Sequence, residues 1–148
     1  MNIKKVVVIG SGTMGSGIAA QVANAGIPVT LLDLPSNEGS INQIAENAKN
    51  RILKSRPPLL FEKNKINLIS AGNIEDNFNE IKDADWVVEA VVERIDIKHD
   101  IYKKIEEVRK DDSIISSNTS TIPLKVLSEK MSDQMKKNFC ITHFFNPV

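Results

Sequence analysis

Residues 3–34 read IKKVVVIGSGTMGSGIAAQVANAGIPVTLLDL, and this stretch decides the fold. Residues 3–9 are a short β-branched run ending at Gly10, a pattern suited to a strand buried on both faces. Met14, Ile18 and Val22 recur every four residues, which is one face of a helix, and Gly26 closes it as a C-terminal cap. Residues 28–34 are a second apolar run. About thirty residues for strand, helix and strand is the size of a parallel βαβ unit.

Gly10, Gly12 and Gly15 form Gly-x-Gly-x-x-Gly at the junction of that strand and helix, with Ala19 four residues further on. In this context each glycine has a distinct physical task. Gly10 permits the tight turn, Gly12 removes the side chain where a pyrophosphate approaches, and Gly15 lets the helix pack against the strand. The N–H groups at the helix start face the phosphates, so Thr13 and Met14 join the three glycines as cofactor-binding candidates. Asp33 ends the second strand 18 residues after Gly15, near the ~20 expected of an acid that bonds the adenosine ribose 2′-hydroxyl. A carboxylate there repels a 2′-phosphate, and residues 34–38 (LPSNE) offer no arginine to hold one. NAD is therefore favoured over NADP.

Outward from this unit, Ile41, Ile44, Ala45, Ala48 and Ile52 predict a helix over about 37–55, stopping before Pro57-Pro58. A loop is expected over 57–65, a short strand near 66–70, a helical turn near 76–82 and a strand at 85–91. Ile97, Ile101, Ile105 and Val108 predict a helix over 94–109. A strand at 113–117, a helix opened by Pro123 in its first turn and a strand at 138–143 complete the chain. Alternating strands and helices imply an α/β fold with a doubly wound, mostly parallel sheet, in one domain over residues 1–148.

The composition agrees. Lys and Arg total 19, as do Asp and Glu, so no basic field exists to steer nucleic acid or anionic lipid. Cys140 is the only cysteine, and His99 and His143 lie far apart, so neither an internal disulfide nor a zinc-ligand spacing is present and no metal is expected. A reducing, cytoplasmic setting fits this usage. No apolar run approaches the ~18 residues of a membrane span. Lys4-Lys5, a mildly apolar stretch and Ala23-Asn24-Ala25 mimic a signal peptide, but the glycines within already have a better explanation.

In an open α/β sheet, ligands bind beyond the carboxyl ends of the strands. The expected elements bring the glycines, Glu89 and Glu93, Ser117-Asn118-Thr119-Ser120, and His143 with Asn146 to that edge. Histidine is the side chain whose ordinary titration range spans neutrality, which suits proton removal from an alcohol while hydride leaves for a nicotinamide. His143 is thus the acid/base candidate, and His99 reads as a solvated residue on the polar face of its helix.

GSGTMGSGIA, EAVVER with Lys98 after it, SNTST and THFFNPV together resemble the N-terminal NAD-binding domain of the L-3-hydroxyacyl-CoA dehydrogenases of fatty-acid β-oxidation, a Rossmann-type domain. The resemblance covers essentially the whole chain, and the Pro57-Pro58-Leu59 insertion brings it closer to the multifunctional bacterial members that carry a hydratase region. It implies that His143 is the catalytic base. Asn146 and Ser120 lie beside the reacting oxygen and the nicotinamide, and Glu93 and Lys98 sit near the cofactor's nicotinamide half. Lys49, Arg51, Lys54 and Arg56 have two readings: contact with coenzyme A phosphates, or cations favoured near a helix C-terminus.

Family members place a glutamate shortly after His-Phe-Phe-Asn-Pro that orients the histidine as a triad acid does. They also carry a C-terminal helical domain that closes the substrate cleft and forms the homodimer. Both lie beyond Val148, so these residues are expected to bind NAD and to be poorly active alone. Two rivals share the fold: a non-catalytic NAD-binding protein, and a β-hydroxy acid dehydrogenase that does not use coenzyme A.

Overall fold

The computed structural model describes residues 2–148. β1 (Val6–Ile9), α1 (Thr13–Asn24) and β2 (Val29–Asp33) form the expected βαβ unit. α2 (Gln43–Lys54), β3 (Ile69–Asn73), β4 (Trp86–Glu89), α3 (Ile95–Val108), β5 (Ile114–Ser117), α4 (Leu124–Leu127), α5 (Asp133–Lys137) and β6 (Phe139–Ile141) follow. The strands form one six-stranded sheet in the order β3-β2-β1-β4-β5-β6, with every pairing parallel. This is a doubly wound Rossmann-type sheet, and its order reverses between β1 and β4.

β1 explains why its sequence is continuously apolar. Val6 and Val8 pack with Ile18, Val22 and Ile52 on one face of the sheet. Val7 and Ile9 pack with Ile101, Ile105 and Ile115 on the other. Both faces are covered by helices, so no strand position is left for a polar residue, and each buried Val or Ile contributes about 1.5–3 kcal/mol. Gly26 takes φ +81° just past the end of α1, as a C-terminal cap requires.

Several boundaries differ from the sequence reading. α2 begins at Gln43 rather than near 37, because residues 36–42 satisfy their backbone locally. Ser36 Oγ donates to Glu38 O, and Ser36 N donates to Ile41 O. Ser40 Oγ accepts from Asn42 N, and Gly39 turns at φ +72°. These short polar side chains compete with helix formation. The strand expected at 66–70 is instead a 3₁₀ segment at Lys63–Leu68 followed by β3, about three residues later. Register with β2, which pairs Val29 with Ile69, sets where β3 starts.

Pro123 precedes the first helical residue of α4 and serves as its N-cap residue. α5 was not anticipated; Ser132 caps it by accepting from Met135 N. β6 stops at Ile141, so His143 lies two residues beyond the strand. Among the described residues no helix is long and apolar enough to cross a membrane, and no cluster of His, Cys, Asp or Glu is arranged to hold a metal.

Candidate functional site

The glycine loop lies where the sheet order reverses. Gly10 N donates to Leu32 O and Ala90 N donates to Ile9 O, so β2 and β4 grip the end of β1 from both sides. Gly10 has φ +99°, and a Cβ on it would meet Ala90 O at 2.5 Å. A Cβ on Gly15 would lie 1.8 Å from Gly10 O, which leaves no room for any side chain. Gly12 differs: nothing lies within 4 Å of its virtual Cβ. The protein does not need Gly12 for its own packing, and the open space at the start of α1 has the room that a close-approaching phosphate would require. α1 has no side-chain cap, which leaves its first N–H groups for a ligand.

Asp33 closes β2 with its carboxylate already engaged. Oδ2 accepts from Ser11 N and from Ser11 Oγ, each at 2.6 Å, and Oδ1 accepts from Leu34 N at 2.7 Å. Asp33 borders a cavity of about 520 Å³ whose walls include Gly10, Gly12, Leu34, Ile74, Val92 and Ile101. Asp100 and Lys104 also line it, and a mostly apolar slot with the Asp33 carboxylate at the end of β2 suits an adenosine.

A second cavity of about 330 Å³ is lined by Met14, Glu93, Asn118, Ser120, His143 and Asn146, with the neighbouring Phe residues. Ala90 and Val91 border both cavities, so the two adjoin across the end of β4. Four sequence segments that are remote from one another therefore meet here. Asn118 Oδ1 accepts from Phe144 N at 2.9 Å, which ties the loop after β5 to the turn that carries His143. The His143 ring is exposed and lies 4.6 Å from that of Phe145, tilted by 35°.

Glu93 organises the Ser-Asn-Thr-Ser loop. Its Oε1 accepts from Thr119 Oγ1 at 2.6 Å and Ser120 N at 3.1 Å. Burial pushes its carboxyl up, but the Thr119 hydroxyl and the Lys98 ammonium outweigh this and hold it below the usual glutamate range. Lys98 itself lines neither cavity. It is 1% exposed, with Nζ 2.7 Å from Glu89 and 3.1 Å from Glu93. Lys98 thus reaches the second cavity only through Glu93, which lines it.

Glu89 is the residue whose role the sequence reading missed. It is fully buried and accepts from Lys98 Nζ, Tyr102 OH, Ser117 Oγ and Val91 N. Burial, with the Glu89 carboxylate beside it, pushes the Tyr102 hydroxyl well above its ordinary range, so it stays a donor. A signal existed: Lys98 shares the helical face of Ile101, Tyr102 and Ile105, and a lysine on a core face needs a buried acid.

One further expectation needs correction. His99 is not solvated; it is 8% exposed, with Nε2 2.9 Å from Val126 O, because α4 packs over that side of α3. In the basic cluster, Arg51 Nη2 donates to Ser11 O at 3.0 Å and braces the glycine loop. Lys54 is exposed at the end of α2 and lines neither cavity.

The family model for the 3-hydroxyacyl-CoA dehydrogenase NAD-binding domain matches residues 5–148. The chain belongs to this family. Its fold is that of an NAD-binding domain, and NAD is its cofactor. A Rickettsia felis relative named as a fatty acid oxidation complex trifunctional enzyme is 50% identical over 146 residues, 98% of this chain and 20% of that protein. A Deinococcus radiodurans relative named as a 3-hydroxyacyl-CoA dehydrogenase is 47% identical over 148 residues, 99% of this chain and 43% of that protein. The crystal structure of 3-hydroxybutyryl-CoA dehydrogenase from Escherichia coli matches with a TM-score of 0.82 at 29% identity, over 99% of this chain and 30% of that one. The chain thus spans less than half the length of these relatives.

Proposed function

We propose that these residues are the cofactor-binding part of an enzyme that oxidises L-3-hydroxyacyl-CoA to 3-oxoacyl-CoA in fatty-acid β-oxidation. The observation that carries this reading is the convergence of His143, Ser120 and Asn146 on one cavity beside the glycine loop. NAD⁺ held against the glycine loop would supply the acceptor for the hydride that leaves C3 of the substrate. His143 takes the proton of the 3-hydroxyl. Ser120 and Asn146 orient the reacting oxygen, and Glu93 fixes Ser120 through its backbone N–H. Gly10, Gly12, Thr13, Met14 and Gly15 hold the pyrophosphate, while Asp33 accepts from the adenosine ribose.

The reading extends beyond these residues to a helical domain that closes the cleft and forms a homodimer, and to a cytoplasmic setting, which the single Cys140 supports. Lys54 remains a candidate for the coenzyme A phosphates. His143→Gln, assayed in the complete polypeptide that carries these residues, lowers kcat with L-3-hydroxybutyryl-CoA by roughly 10²–10⁴-fold and leaves NADH affinity unchanged. An unchanged kcat overturns the assignment. The 148 residues alone bind NADH but turn over slowly; turnover near that of a full-length relative overturns the need for a second domain.

A further inference from the structure

We propose that Ser11 is the positioning residue for the adenosine half of the cofactor and, through Asp33, for selectivity of NAD over NADP. This rests on the reading of Asp33 as the ribose acid. A carboxylate has about four lone-pair sites. Ser11 N–H, Ser11 O–H and Leu34 N–H occupy three of them, two on Oδ2 and one on Oδ1. One acceptor position on Oδ1 therefore remains for a ribose hydroxyl. The same three bonds prevent the carboxylate from swinging aside, so a 2′-phosphate meets a negative charge that cannot retreat.

The Ser11 hydroxyl is not needed to shape the loop. Ser11 is 1% exposed, and its carbonyl is already held by Ser16 Oγ at 2.9 Å and Arg51 Nη2 at 3.0 Å. Gly10 N is fixed separately on Leu32 O at 2.8 Å. The remaining task of the hydroxyl is to hold Asp33. Sequence reading passed over Ser11 because it fills a variable position of the glycine motif.

The test is calorimetric titration of the 148-residue chain and its Ser11→Ala variant with ADP-ribose, NADH, NADPH and reduced nicotinamide mononucleotide. Ser11→Ala is expected to weaken ADP-ribose and NADH roughly three- to tenfold and to narrow the NADH-to-NADPH preference by a similar factor. Binding of the mononucleotide, which lacks adenosine, changes by less than about twofold. On an Asp33→Asn background the added effect of Ser11→Ala disappears, because the charge it positions is gone.

Unchanged ADP-ribose affinity in Ser11→Ala overturns the proposal, as does an equal loss for both half-ligands or a loss that persists on the Asp33→Asn background. If Asp33→Asn alone leaves ADP-ribose binding intact, the ribose reading of Asp33 fails and the proposal with it. Should Ser11→Ala not fold by circular dichroism, Ser11→Gly removes the same hydroxyl with a residue every loop backbone accepts, and the same outcomes apply.

Discussion

Replacing Lys98 by Met tests the buried network that ties β4, β5 and α3 together at the cofactor edge. Methionine matches the length of the lysine stem and removes only the charge and its donors. Glu89 would then sit fully buried with Tyr102, Ser117 and Val91 N–H as donors and no cation. Removing one partner of a buried ion pair costs about 3–5 kcal/mol. The three surviving donors put the expected loss near the low end, about 3 kcal/mol. For a chain of this length each kcal/mol lowers Tm by about 2–4 °C, so the expected drop is about 6–12 °C by differential scanning calorimetry. The Glu89→Gln, Lys98→Met double variant removes both charges and is expected to lose only about 1–2 kcal/mol, less than Lys98→Met alone. A Tm drop below about 2 °C for Lys98→Met, or a double variant as unstable as the sum of the single ones, refutes the reasoning.

The loop glycines separate by mechanism. Gly15→Ala forces a Cβ to 1.8 Å from Gly10 O, so α1 must lift off β1. The expected loss is about 3 kcal/mol, read as a lower Tm. Gly12→Ala meets only open space and leaves Tm within about 2 °C, yet weakens NADH more than about tenfold in a titration, because the methyl fills the phosphate cradle. The two variants exchanging phenotypes would refute the assignment of the loop. Asp85 is held down to about 2, against an ordinary 3.8, first by the hydrogen bond from Lys110 and then by Lys4 N–H. Its folded pKa lies below the unfolded one, so its contribution is present above about pH 4 and is lost as pH falls towards about 2. Asp85→Asn is expected to flatten Tm against pH across that window, and an unchanged slope contradicts it.

The βαβ unit, the steric roles of Gly10 and Gly15 and most of the order of strands and helices were legible because each rests on chemistry local in the chain. A run such as Val6–Ile9 states that both faces are covered, and Gly10 states that its backbone does something other residues cannot. The segment at 63–73 was less legible because its strand is set by register against β2 rather than by its own pattern. His99 was misread for a similar reason: α3 alone does not reveal that α4 returns to cover it.

By itself, the sequence determined the fold class, the dinucleotide loop and the set of motifs that a sheet of this kind brings to one edge, since spacing and residue type fix those through backbone sterics and periodicity. Only the tertiary structure decided which polar groups pair. Ser11 meets Asp33 across 22 residues, Ser117 meets Glu89 across 28, and Arg51 reaches Ser11 across 40. A buried polar atom is satisfied by whatever donor the packed chain brings within about 3 Å, and that proximity exists only once the sheet and its helices have closed around it.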